Sequence, residues 1–264
     1  MTFALLGVAA LIWSLTVLRW SISRRDSPWG GRAMVVSIIA GVIAAASVAA
    51  DLRSIWLISS APRSGVAITI KDNGEWWQLA YRRGGQSFVT ANEIHVPAGA
   101  VVAMEWNGPS TVVWRARDFL PHEMNHFAFI GERAEDLTVL QLWPPTRRHL
   151  RIVVDPPAVF DAWFKTQTLP TRWSPQAVEL FTSAGCAYCH VIRGVAESPW
   201  KIAPELTHFA SRRTIAGTGL PNDRGSLSGW VVNSKALKYG SEMPENNVQP
   251  AVLHQLVTYL GSLR

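Results

Sequence analysis

Cys186 and Cys189 stand one helical turn apart, and His190 follows at once in Cys186-Ala187-Tyr188-Cys189-His190. Two thiols at that spacing can each form a thioether to a porphyrin vinyl group, and the adjacent imidazole then reaches the iron from the proximal face. The run is therefore the attachment signature of a c-type heme. Other chemistries compete for a Cys-x-x-Cys pair. A redox dithiol uses the same spacing, and a zinc site uses it as half of its ligands. The zinc reading needs further cysteines or paired histidines, and the chain has 2 cysteines in all. The dithiol reading gives His190 no role. So close a pair also closes almost no loop, which excludes a disulfide-stapled scaffold. One covalent heme c is the expected cofactor, with iron as its metal.

An electron-transfer heme with six ligands takes a second axial group, and thioether sulfur raises its potential. The only methionine after the heme motif is Met243, in Gly240-Ser241-Glu242-Met243-Pro244. A Met-Pro pair in a loop ahead of a terminal helix resembles the distal side of class I cytochromes c. The competing axial candidates are His208 and His254, although a lone histidine is more often a surface or supporting residue. Pro204 resembles the proline whose carbonyl supports the proximal histidine in that family, with Pro199 close by as a rival. The resemblance implies Cys186, Cys189, His190 and Met243 as heme-binding residues, with His190 and Met243 on the iron.

These residues need positioning, and the composition indicates by what. Apolar residues make up 48% of the 264 and charged residues only 17%, against about a quarter charged in soluble domains. The deficit is local: residues 2–18 and 33–50 carry no charged side chain. Each stretch would form about 27 Å of helix, close to the thickness of a bilayer core. Arg19, Arg24, Arg25 and Arg32 lie between them, and the positive-inside rule puts that loop in the cytoplasm. Trp13, Trp20, Trp29 and Trp56 fall where interfacial aromatics belong. A cleaved signal peptide is the alternative for the first stretch, but its positive charge would precede the apolar run rather than follow it. Residues 1–60 are expected to be a transmembrane helical hairpin. The formal charge of +6 is spread thinly, without the dense basic stripe of a nucleic-acid binder.

From Val66 to Val154 the pattern turns to short β-rich runs. They are Val66–Ile70, Glu93–Pro97, Val101–Trp106, Thr111–Trp114 and Leu150–Val154, punctuated by Gly, Pro and Asn. That reads as an antiparallel sandwich or barrel. A short helix is expected around Phe160–Trp163, then a flexible linker over 168–175 that lets the following domain reorient. Ser174 with Pro175 behind it is a helix start, Gln176–Phe181 reads as a packing helix, and a last helix should run from just after Pro250 to Leu260.

The whole layout resembles subunit II of heme–copper oxidases, in the form fused to a C-terminal cytochrome c. The matching stretches are Gly74-Glu75-Trp76-Trp77-Gln78, then Thr90–Gly99, then Val153–Trp163. The resemblance implies a multi-domain membrane protein: the hairpin, an all-β cupredoxin-like barrel at 64–166 and an all-α cytochrome c domain at 172–264. In the copper-bearing family a dinuclear centre (CuA) takes two cysteines, two histidines, a methionine and a carbonyl. One of those histidines falls at Trp114 here, and the cysteine loop reads Trp143-Pro144-Pro145-Thr146-Arg147-Arg148-His149. Thiolates bridge the two copper ions, so His149 alone cannot build the centre. No CuA copper is expected, and the barrel resembles the copper-less one of quinol oxidases. His122-Glu123-Met124-Asn125-His126 fits His-Glu-x-x-His, but a zinc peptidase needs it on a helix with a third ligand, and ordinary polar loop residues are the preferred reading.

The implied function is an electron-transfer subunit of a membrane-bound heme–copper oxidoreductase, relaying single electrons to a catalytic subunit I. It performs no bond chemistry of its own. A soluble periplasmic cytochrome c or another donor would feed it, and both globular domains would face the periplasm from the inner membrane of a bacterium. The alternatives are the heme c subunit of a nitric oxide reductase, or a quinol-oxidase-like structural subunit with a regulatory heme. Trp76 and Trp77 match aromatics that lead electrons onward in copper-bearing relatives, and interface packing is the role expected of them here.

Overall fold

The computed structural model describes residues 2–23, 30–108, 111–114, 117–118, 125–143, 149–171, 174–198 and 202–264. It divides into two compact units, Met1–Ala61 and Pro62–Arg264.

The first unit holds α1 (Thr2–Ser23) and α2 (Gly30–Ser60). Along α2 its apolar side chains point outward: Val35, Val36, Ile38, Ile39, Val42 and Ile43 are all exposed. The buried positions are small ones, Ser37 and Ala44 of α2 and Ser14 of α1, with Gly41 facing Ser14. Small residues let two helix backbones approach closely, the arrangement favoured where lipid surrounds the pair. Met34–Arg53 is a 20-residue span with a mean hydropathy of 2.2, long and apolar enough to cross a membrane.

The second unit opens with ten strands. In order they are β1 (Arg63–Asp72), β2 (Trp77–Arg83), β3 (Gln86–Ala91), β4 (Glu93–Pro97), β5 (Val101–Asn107), β6 (Thr111–Trp114), β7 (Arg117–Asp118), β8 (Asn125–Ile130), β9 (Glu135–Trp143) and β10 (His149–Asp155). They form two five-stranded sheets, ordered β3-β2-β1-β5-β8 and β4-β10-β9-β6-β7. The alternation that makes a strand is plain in β1, where Val66, Ile68 and Ile70 are buried, and in β2, where Trp77, Leu79 and Tyr81 are. Gly84 and Gly85, both at positive φ, make the two-residue turn that joins β2 to β3.

The two sheets form a sandwich, as expected, but not a purely antiparallel one. β1 pairs parallel with β5, and β4 parallel with β10. A parallel pair needs a long crossover, so its partners lie far apart in sequence and local pattern does not reveal them. Strands β2, β3, β8 and β9 also fall outside the runs expected from sequence. Helix α3 (Pro157–Gln167) closes the core, longer than the short helix expected there. Its Phe160 and Phe164 are buried against Tyr81 and Phe88, which stack at a centroid distance of 4.8 Å.

The last part is helical: α4 (Pro175–Ser183), α5 (Arg224–Val232), α6 (Ser234–Leu237) and α7 (Pro250–Leu260). Ser174 caps α4, its hydroxyl accepting from the Ala177 N–H at 3.0 Å. α7 keeps the expected bounds, with Gly261 at its end. Phe181, Phe209, Leu227, Leu256 and Leu260 form the centre of a separate apolar core.

Candidate functional site

The α4 helix ends at Ser183, and Gly185, at a φ of 75°, turns the chain into a single 3-10 turn at Cys186–Tyr188. The Cys189 and His190 N–H groups both donate to the Cys186 carbonyl, at 3.2 and 3.0 Å. This holds both thiols and the imidazole on one tight turn. Burial pushes the Cys186 thiol up to about 11, so it stays protonated at neutral pH, unlike the thiolate of a redox dithiol. Burial likewise lowers the basicity of His190, partly opposed by its bond to Pro204, and the Arg212 charge lowers it further. His190 Nδ1 lies 2.7 Å from the Pro204 carbonyl oxygen. A carbonyl accepts only, so Nδ1 carries the proton and Nε2 keeps its lone pair for a metal.

Cys186, Cys189, His190 and Met243 line one cavity. Its apolar walls come from the cytochrome core itself, Phe181, Ile215, Leu227, Val231, Leu256 and Leu260 among them. The Met243 loop is tied down from behind: its carbonyl accepts from Ser234 Oγ at 2.9 Å, and Ser241 Oγ donates to that same Ser234 oxygen at 2.9 Å. The other axial candidates lie elsewhere. His208 Nε2 is 2.9 Å from the Leu169 carbonyl, and His254 is exposed on α7. Pro204 is the proline on His190, while Pro199 lies outside the described residues.

Sequence reasoning gave no place at this site to several lining residues, four of which bear on its chemistry. Arg212 is buried, with one Nη on Thr90 Oγ1 at 3.3 Å and on the Glu205 carbonyl, and its Nε is buried without a hydrogen-bond partner. Burial depresses its pKa, which Glu205 and Glu93 partly restore. The other three, Glu75, Trp76 and Asn92, come from the β sandwich. Asn92 sits at φ 66° between β3 and β4, its Oδ1 accepting from the Trp77 N–H at 3.0 Å. The two tryptophans separate: Trp77 is 1% exposed inside the sandwich core, whereas Trp76 lines the cavity. No local signal marks these residues, because each reaches the site through packing between distant segments.

A second buried cluster lies in the sandwich. His95 Nδ1 is 2.6 Å from Asp155 Oδ2 and its Nε2 is 3.0 Å from Glu93 Oε1. Its ring stacks on Trp163 at a centroid distance of 4.4 Å. Burial alone would lower the pKa of His95, but the two carboxylates outweigh it and the net shift is upward. With a carboxylate at each nitrogen, the surroundings favour the protonated form of the ring. Glu93 Oε2 in turn accepts from the Arg213 N–H at 3.0 Å, and Arg213 pairs with Asp136 at 2.7 Å.

The expected flexible linker is instead stitched to the cytochrome part. Arg193 donates to the Gln167 carbonyl at 2.6 Å, the Thr171 N–H to the Arg193 carbonyl at 3.2 Å, and His208 meets Leu169 as described. Residues 172–173 lie outside the described residues. So do 122–124 of the His-Glu-x-x-His run and 144–148 of the loop before β10; Asn125 and His126 stand on extended backbone in β8, not on the helix a zinc peptidase requires.

The Cytochrome c family model matches residues 176–264. Among solved structures, the periplasmic domain of subunit II of cytochrome oxidase (CoxB) of Bradyrhizobium japonicum is 17% identical, over 40% of this chain and 96% of that one, at a TM-score of 0.33. A mixed-disulfide intermediate between a thioredoxin-like protein and subunit II of cytochrome c oxidase is 18% identical, over 40% of this chain and 92% of that one, at a TM-score of 0.32. No curated protein matches the sequence. The chain thus joins a two-sheet β sandwich to a C-terminal cytochrome c domain, and that domain implies covalent heme c.

Proposed function

We propose that the protein is the subunit II-like, membrane-anchored electron-transfer subunit of a heme–copper oxidase-type complex. One observation carries this reading: His190, with Nδ1 committed to Pro204 and Nε2 left for a metal, shares an apolar cavity with Cys186, Cys189 and Met243. Apolar walls, two thiols, two axial donors and a buried Arg212 Nε for an anionic edge are what a heme c requires.

Cys186 and Cys189 would tether one heme, and His190 and Met243 would hold its iron. Bound there, the group supplies one-electron Fe(II)/Fe(III) cycling. The Pro204 carbonyl fixes the His190 ring and its tautomer, while Phe181, Leu256 and their neighbours exclude water and so favour a raised potential. Both cysteines of the chain belong to this motif, which leaves no thiolate to bridge copper in the sandwich. Helices α1 and α2 are read as a two-pass membrane anchor, with the arginine-rich connection in the cytoplasm and the sandwich and cytochrome domain in the bacterial periplasm. The catalytic subunit I of the complex would receive the electrons, and a soluble periplasmic cytochrome c would be one donor.

The test is cofactor content and company. The detergent-purified chain should carry one heme that survives acid–acetone extraction, show iron without stoichiometric copper, and bring a large heme–copper subunit with it. Two copper ions per chain, or a nitric oxide reductase catalytic subunit in the purified complex, would overturn the reading.

A further inference from the structure

The heme cavity has a wall that the cytochrome domain does not supply. Glu75, in the turn between β1 and β2, lines it together with Lys238, Glu242 and Met243. Glu75 Oε2 lies 3.2 Å from Lys238 Nζ, and the same ammonium donates to the Glu75 and Ala216 carbonyls. The Lys238 side chain is 3% exposed and that of Glu75 24%, so the pair is largely out of water, where charge is least screened.

The chain after Lys238 runs directly over this carboxylate. Gly240 has a φ of +83°, and a Cβ there would meet Glu75 Oε1 at 3.4 Å. Ser241 and Met243 follow, both bound to Ser234. The loop that presents Met243 to the cavity therefore rests on a residue of the sandwich, and a charge pair spans the contact at the rim.

We propose that Glu75 and Lys238 form a charge pair across the two domains whose balance holds the reduction potential of the heme, either charge alone shifting it, so that the sandwich is part of the redox site. This rests on the heme reading above. A negative charge near the iron favours the ferric state and a positive charge favours the ferrous. Each partner offsets the other while the pair is intact, and removing one leaves the other uncompensated in a poorly screened place.

The full-length protein in detergent tests this with Glu75→Gln, Lys238→Met and the double variant, each first shown to carry covalent heme by its pyridine hemochrome spectrum. In redox titrations Glu75→Gln should raise the midpoint potential and Lys238→Met should lower it, with the double variant returning close to wild type. A purely structural contact would admit water in either single variant and shift both downward. Same-sign shifts, or none, in heme-loaded variants overturn the inference alone. Heme-free wild-type protein would overturn the heme reading and this inference with it.

Discussion

In the sandwich a cluster of aromatic side chains packs on itself. Tyr81 stacks on Phe88, and Trp163 and Phe164 meet both rings edge-on at centroid distances of 5.1–6.4 Å. In the cytochrome domain the core residues Phe181, Ile215, Leu227, Val231, Leu256 and Leu260 line a cavity instead. The described sandwich core packs on its own side chains, whereas the cytochrome core borders a cavity that fits a heme. A cavity wall without partner atoms forfeits its dispersion energy, so the stability of one region should depend on heme and that of the other should not.

The sharpest way to break this contrast is to remove the tether. Cys186→Ala/Cys189→Ala should abolish covalent heme and leave the cytochrome domain open to protease, while residues 62–167 survive as a resistant core. Limited proteolysis with mass mapping reads it. A cytochrome domain as resistant as wild type would show that its core does not need the group.

The next effect falls on the other region. His95→Leu leaves the Glu93 and Asp155 carboxylates buried without their shared cation, which should cost about 3–5 kcal/mol. Urea unfolding, followed by tryptophan fluorescence, checks it with the heme spectrum initially unchanged. The wild type should also show a pH signature. The folded pKa of His95 is raised, so its stabilisation is complete below the ordinary histidine range near pH 6.5 and fades as pH rises through the folded value. Stability of the sandwich should therefore fall on the alkaline side, and the His95→Leu variant should lack that component.

The smallest effect on folding should come from Met243→Ala. The tether and His190 are untouched, so heme and fold persist, but the potential drops and the ferric sulfur-to-iron charge-transfer band disappears. An unchanged band would mean that another residue is the ligand.

Much of the proposed heme site could be read in the sequence because its chemistry is local. Cys186, Cys189 and His190 lie within one turn, Met243 is marked by Pro244, and Ser174 with Pro175 announces α4. The supports of that site could not. Glu75 and Lys238 are joined by folding across 163 positions, and Arg212 reaches Thr90 across 122. Glu93 and His95 share one face of a strand that was expected, since alternate residues point the same way. Their role depends on Asp155, which arrives through the parallel β4–β10 register. Strands β2 and β3 escaped notice because both are short and mix glutamine, arginine, serine and threonine with few large apolar residues.

Two hydrogen bonds decide where this molecule can be cut. The family match begins at residue 176, yet the carbonyls of Gln167 and Leu169 are the acceptors of Arg193 and His208. A fragment starting at Ser174 would carry the whole heme motif and still lose those two acceptors. His208 is buried and Arg193 borders it, so both would have to find solvent by loosening the turn between Cys189 and Phe209. An excised cytochrome should therefore begin at or before Gln167, nine residues ahead of the family match, to keep both acceptors.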